Sequence, residues 1–119
     1  MNTIHQTIRD LFSTAPEPIT LCGSRGFAMR YPEIIKVNDD TDWDFYAKHT
    51  PQMCKWMENN GFSACAAAHL AYADNDTLGI FTKTLDDGTS VEVTLRKDPA
   101  RYSFVLRSLI SPTYYRDYL

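Results

Sequence analysis

The sequence predicts an α+β fold, and three patterns carry that prediction. Apolar residues recur at helical spacing near both ends of the chain, Ile4, Ile8, Leu11 and Phe12 in one stretch and Tyr102, Val105, Leu106, Leu109 and Ile110 in the other. Each set falls on one side of a 3.6-residue helix. Between them Val91, Val93 and Leu95 alternate with Glu92, Thr94 and Arg96, the two-residue period of a strand with one buried face. The turn-forming run Asp86-Asp87-Gly88-Thr89 separates this strand from an earlier candidate, Leu78 to Leu85, and joins the two as a hairpin.

In chain order, the first helix spans Thr3 to Phe12 and gives way before Pro16 and Pro18, because proline lacks the amide proton that a helix interior needs. A short strand, Ile19 to Cys22, runs into Gly23-Ser24. A polar excursion from Arg25 to Asp40 follows, with Arg25, Arg30 and Lys36 among acids; Asp39 and Asp40 read as loop residues. Asp42-Trp43-Asp44 is strand-like because Phe45 and Tyr46 continue it. Thr50 and Pro51 suit the cap and first position of a helix, Met53, Trp56 and Met57 form its buried stripe, and Asn60-Gly61 stops it. Phe62 to Asp76 reads as irregular or strand-like. After the hairpin, Asp98-Pro99 opens the last helix and Ser111-Pro112 breaks it. The tail TYYRDYL either docks on the body or presents Tyr114, Tyr115 and Tyr118 to a protein partner.

The 119 residues make one domain, 1–119, without room for a separate substrate domain. A hydrophobic share of 44% with 23% charged residues excludes a disordered chain. The net charge of −3 argues against indiscriminate nucleic-acid binding, which depends on cationic surface. The three cysteines, Cys22, Cys54 and Cys65, have no CxxC spacing, so neither a disulfide framework nor a zinc site is expected. The opening residues lack the apolar run of a signal peptide, and no stretch reaches membrane-spanning length. The expected setting is cytoplasmic, away from membranes.

The stretch from Ile19 to Tyr46 carries the chemistry. On a strand, Asp42 and Asp44 share a face, and two carboxylates so close repel unless a cation lies between them. Clustered oxygen ligands suit Mg²⁺ or Mn²⁺. Gly23 lets the backbone lie close to a ligand, and the amides of Gly23 and Ser24, with the Ser24 hydroxyl, can donate to phosphate oxygens. Arg25 can grip two such oxygens at once.

Gly-Ser after one strand and Asp-x-Asp on the next resemble the DNA polymerase β-like nucleotidyltransferase superfamily, in particular its minimal single-domain members. The matching residues are Gly23, Ser24, Asp42 and Asp44, with Tyr31 to Asp40 lengthening the connection. The resemblance implies a small mixed β-sheet flanked by helices. It also implies that Gly23 and Ser24 hold the triphosphate of an NTP and that Asp42 and Asp44 bind the metals. A third carboxylate is expected on a later strand, and Glu92 matches by order and alternation; its other reading is a solvent-facing glutamate paired with Arg96 or Lys83. RKDPARY and the proline-broken aromatic ending resemble small nucleotidyltransferase-like proteins of bacteriophages. The implied reaction moves an NMP group from an NTP such as ATP to a hydroxyl on a protein, RNA or small molecule, releasing pyrophosphate. The alternatives are a catalytically inactive nucleotidyltransferase fold kept as a binding module, antitoxin-like or inhibitory toward a partner protein, and a small interaction protein whose acids are simply surface.

Overall fold

The computed structural model describes residues 3–65, 77–97 and 113–114. Their order is α1 (Thr3–Phe12), β1 (Thr20–Cys22), α2 (Gly23–Arg30), β2 (Trp43–Lys48), α3 (Pro51–Asn59), β3 (Ser63–Ala64), β4 (Thr77–Thr84), β5 (Ser90–Arg96) and β6 (Thr113–Tyr114). The strands form a six-stranded sheet in the order β3-β4-β5-β2-β1-β6. The central pair β2 and β5 is parallel, whereas β1–β2, β1–β6, β3–β4 and β4–β5 are antiparallel. The fold is therefore α+β, as the sequence predicts.

Alternation decides which side of the sheet is dry. Trp43, Phe45 and Ala47 on β2 and Val91, Val93 and Leu95 on β5 are all buried. They pack in one core with Ile8 and Phe12 of α1 and Met53, Trp56 and Met57 of α3. Phe12 is the hub of this layer: its ring meets Phe45 edge-on at 4.9 Å and stacks on Trp56 at 5.8 Å. The opposite face of the central strands carries Asp44 and Glu92 at one end, with Tyr46 and Arg96, both buried, farther along. Thus the sequence pattern that builds the core also gathers the carboxylates on the other side of it.

The ends of α3 follow from its sequence. Thr50 is extended, its hydroxyl accepts from the Met53 amide at 3.1 Å, and Pro51 takes the first turn, where its missing amide proton costs nothing. Replacing Thr50 with alanine orphans that amide, and thermal melts should show a loss of about 1 kcal/mol. The Trp56 indole reaches back to the Thr14 hydroxyl at 2.9 Å, tying α3 to the segment after α1.

Two expectations need correction. The excursion expected from Arg25 begins as a helix: α2 starts at Gly23 and runs to Arg30. Two glycines in eight residues hide it, because glycine is a poor helix former. Packing overrides that preference, since a Cβ on Gly26 would stand 3.0 Å from the Leu21 carbonyl oxygen, a tight contact that glycine spares where α2 approaches β1. The second correction concerns Asp42, which lies just outside β2, whose first residue is Trp43.

Ser63 and Ala64 pair with Thr82 and Phe81, in line with the strand-like reading at the start of that segment; residues 66–76 lie outside the described ones. So does the helix expected after Asp98-Pro99. At the aromatic tail, Thr113 and Tyr114 pair with Leu21 and Thr20, so the backbone there docks on the sheet. Among the described residues no helix is long and apolar enough to cross a membrane.

Candidate active site

The candidate residues meet at the end of the sheet where β1 finishes and β2 and β5 begin. Register aligns Cys22 with Asp44, Asp44 with Glu92, and Glu92 with Thr82. Directly paired residues point to the same face, so these four side chains form one row across four strands. Asp44 and Glu92, 48 positions apart in the sequence, thereby become immediate neighbours.

That proximity changes the acid. Burial raises the Asp44 carboxyl from its ordinary 3.8 to about 6, and the negative charges of Glu92 and Asp42 push the same way. The Cys22 thiol is driven upward for the same reasons, burial first and then Asp44 and Glu92, with Arg96 acting in the opposite direction. Lys83 donates to the Asn60 carbonyl at 2.7 Å, and the Arg96 Nη1 donates to the Thr77 hydroxyl at 2.8 Å.

Gly23 adjoins the row. Its φ of +66° turns the chain out of β1 and into α2, and a Cβ there would lie 2.5 Å from Asp44 Oδ2. Hence Gly23 meets two demands at once: a left-handed backbone and room for the carboxylate. Ser24 follows, exposed, in the first turn of α2, where unpaired amides favour anions.

Arg25 stands elsewhere than its sequence position suggests. Its Nε donates to the Thr41 carbonyl and its Nη2 to the Asn38 carbonyl, both at 3.0 Å. Its guanidinium lies 4.3 Å from the centre of the Trp43 ring, and His5 meets the same ring edge-on at 5.2 Å. Arg25 thus pins the connection from α2 to the strand that carries Asp44. Lys36 likewise donates to a loop carbonyl, that of Pro32, at 2.7 Å.

An open cleft of about 440 Å³ adjoins this end of the sheet, lined by the start of α1, by Arg25 and Trp43, and by the loops 39–42 and 87–90. Asp42 is on its wall, whereas Asp44, Glu92, Gly23 and Ser24 are not. Sequence reading missed the cleft because its walls come from four distant segments, and missed Cys22 because a cysteine at the end of a short apolar strand reads simply as core. The alternation of Thr20 and Cys22 about Leu21 was the available signal.

In chemistry the donor set suits a hard divalent cation: Asp44 and Glu92 are adjacent carboxylates, and Asp42 lies near enough to perturb Asp44. Burial first, and then the charges of Glu92 and Asp42, disfavour the Asp44 carboxylate, and a cation there would offset both. Among the described residues, no three His, Cys, Asp or Glu side chains converge as a ready-made metal cluster. Asp42 is the exposed member of the three. Compared with known protein families, curated proteins and solved structures, the chain matches none.

Proposed function

We propose that the chain is a metal-dependent nucleotidyltransferase working in the cytoplasm, and the observation that carries this reading is the pairing of Asp44 with Glu92 beside the Gly23 turn. Asp44 and Glu92, with Asp42 at the mouth of β2, would hold Mg²⁺, which would supply charge stabilisation for an in-line displacement at the α-phosphorus. The amides of Gly23 and Ser24 at the start of α2 receive the triphosphate. Arg25 acts as a positioning residue for the 38–41 connection, consistent with its bonds to two backbone carbonyls. Glu92 or Asp44 takes the proton of the acceptor hydroxyl as it attacks. The cleft beside Asp42 has the size of a small-molecule site and receives the acceptor group.

Calorimetry with a non-hydrolysable ATP analogue tests the proposal. Binding should require Mg²⁺ and weaken at least about tenfold in Glu92→Gln, the scale of losing one charge-assisted contact. Binding of equal strength with and without Mg²⁺, or in the variant, rejects the metal assignment. Metal-dependent binding without transfer to any acceptor would favour the non-catalytic binding module.

A further inference from the structure

At the far end of β2 a second chemical group lies outside the proposed nucleotide site. His49 follows the last residue of β2, and its backbone amide donates to the Arg96 carbonyl at 2.8 Å, which fixes it against the end of β5. Thr50 then caps α3, and the Cys54 amide bonds back to the Thr50 carbonyl at 3.0 Å. These two anchors bring Cys54 Sγ to 3.3 Å from His49 Nε2, hydrogen-bonding distance for a thiol and an imidazole. Both side chains are half-buried, and Cys54 also packs against the edge of the core.

We propose that Cys54 and His49 form a reactive thiol site that undergoes exchange with low-molecular-weight disulfides. A nucleophile within hydrogen-bonding reach of a base is the arrangement that activates a thiol, and the thiolate is the attacking species. The proton of Cys54 passes to His49 Nε2 as the sulfur attacks one sulfur of the disulfide. A bond forms between them, the original S–S bond breaks, and the departing thiolate takes up the proton. Cys54 is oxidised to a mixed disulfide and half of the reagent is reduced to free thiol, so no further oxidant enters the balance. All three cysteines are free, and among the described residues only Cys54 has a histidine within hydrogen-bonding distance. Cys22 is disfavoured as a thiolate by burial and by Asp44 and Glu92. Among the described residues no histidine, lysine or arginine hydrogen-bonds the Cys65 sulfur, which is half-buried beyond β3.

The test uses the full chain with oxidised glutathione, without nucleotide or metal, so its outcome is separate from that of the nucleotidyltransferase reading. Peptide mapping should find the first adduct on Cys54, at an initial rate about tenfold or more above those at Cys22 and Cys65, a difference that vanishes in denaturant. His49→Asn, which keeps a polar group but no base, should lower the Cys54 rate about tenfold near pH 7, with the gap closing at alkaline pH, where the thiol ionises unaided. Circular dichroism confirms the fold of the variant. If the variant does not fold, the native pH–rate profile decides: a rate that persists toward pH 6 supports the pair, and one that falls as for an isolated cysteine overturns it. Equal rates at Cys54 and Cys65, or an unchanged His49→Asn profile, also overturn it.

Discussion

An Asp44→Asn variant is expected to fold, to resist heat better than the native chain near neutral pH without Mg²⁺, and to lose the proposed nucleotidyl transfer by at least about a hundredfold. The activity loss is the scale of removing one preorganised electrostatic group. The stability gain comes from the same side chain. Asp44 is pushed from 3.8 to about 6 in the folded chain, so between those values the folded state binds more protons than the unfolded one. By linkage, this contribution weakens the fold as pH rises through that window and then levels off. Above about pH 6 the native chain carries the full penalty, on the order of 1 kcal/mol once solvent screening of a half-buried group is allowed for.

Asparagine has the same shape and no proton to lose, so its melting curve should lack this downward step. Melting both proteins from about pH 4 to pH 8 checks the claim. Parallel curves would mean that neither burial nor the neighbouring acids penalise the Asp44 carboxylate. Mg²⁺ should raise the melting temperature of the native chain near neutral pH and leave Asp44→Asn nearly unchanged, because only the native carboxylates gain a countercharge.

How far the sequence disclosed this arrangement depended on the range of each signal. Period-two alternation placed Val91, Val93 and Leu95 in the core and Glu92 on the other face, and Thr50-Pro51 marked the start of α3; both are local patterns with local causes. That Glu92 faces Asp44 directly is a matter of register between β2 and β5, which no local pattern contains. The helix α2 was hidden because Gly23 and Gly26 are there for contacts with Asp44 and Leu21, and such contacts outweigh intrinsic propensity. Arg25 looked like a phosphate ligand by adjacency to Ser24, yet its bonds run to Asn38 and Thr41. A helical turn separates where neighbouring side chains point.

The same contacts make Gly23→Ala the most damaging small substitution at this site. Alanine at a φ of +66° incurs about 1 kcal/mol or more of backbone strain. The added methyl would also stand 2.5 Å from Asp44 Oδ2, 3.1 Å from its Cβ and 3.2 Å from its Cγ. The carboxylate cannot yield freely, since Glu92 flanks it on the neighbouring strand and closer approach raises the repulsion between them. The combined loss should be about 2–4 kcal/mol, with Mg²⁺-dependent nucleotide binding falling alongside. A double-mutant cycle separates the two causes. In an Asp44→Ala background the carboxylate is gone and only the Cβ contact at 3.1 Å remains, so Gly23→Ala should cost little more than the backbone share, about 1 kcal/mol. An equal cost in both backgrounds would place the strain in the backbone and the Cβ contact and leave the Asp44 carboxylate out of it. A smaller cost in the Asp44→Ala background would show that the turn glycine and the carboxylate are fitted to each other, so that the residue that bends the chain out of β1 also sets where the acid stands.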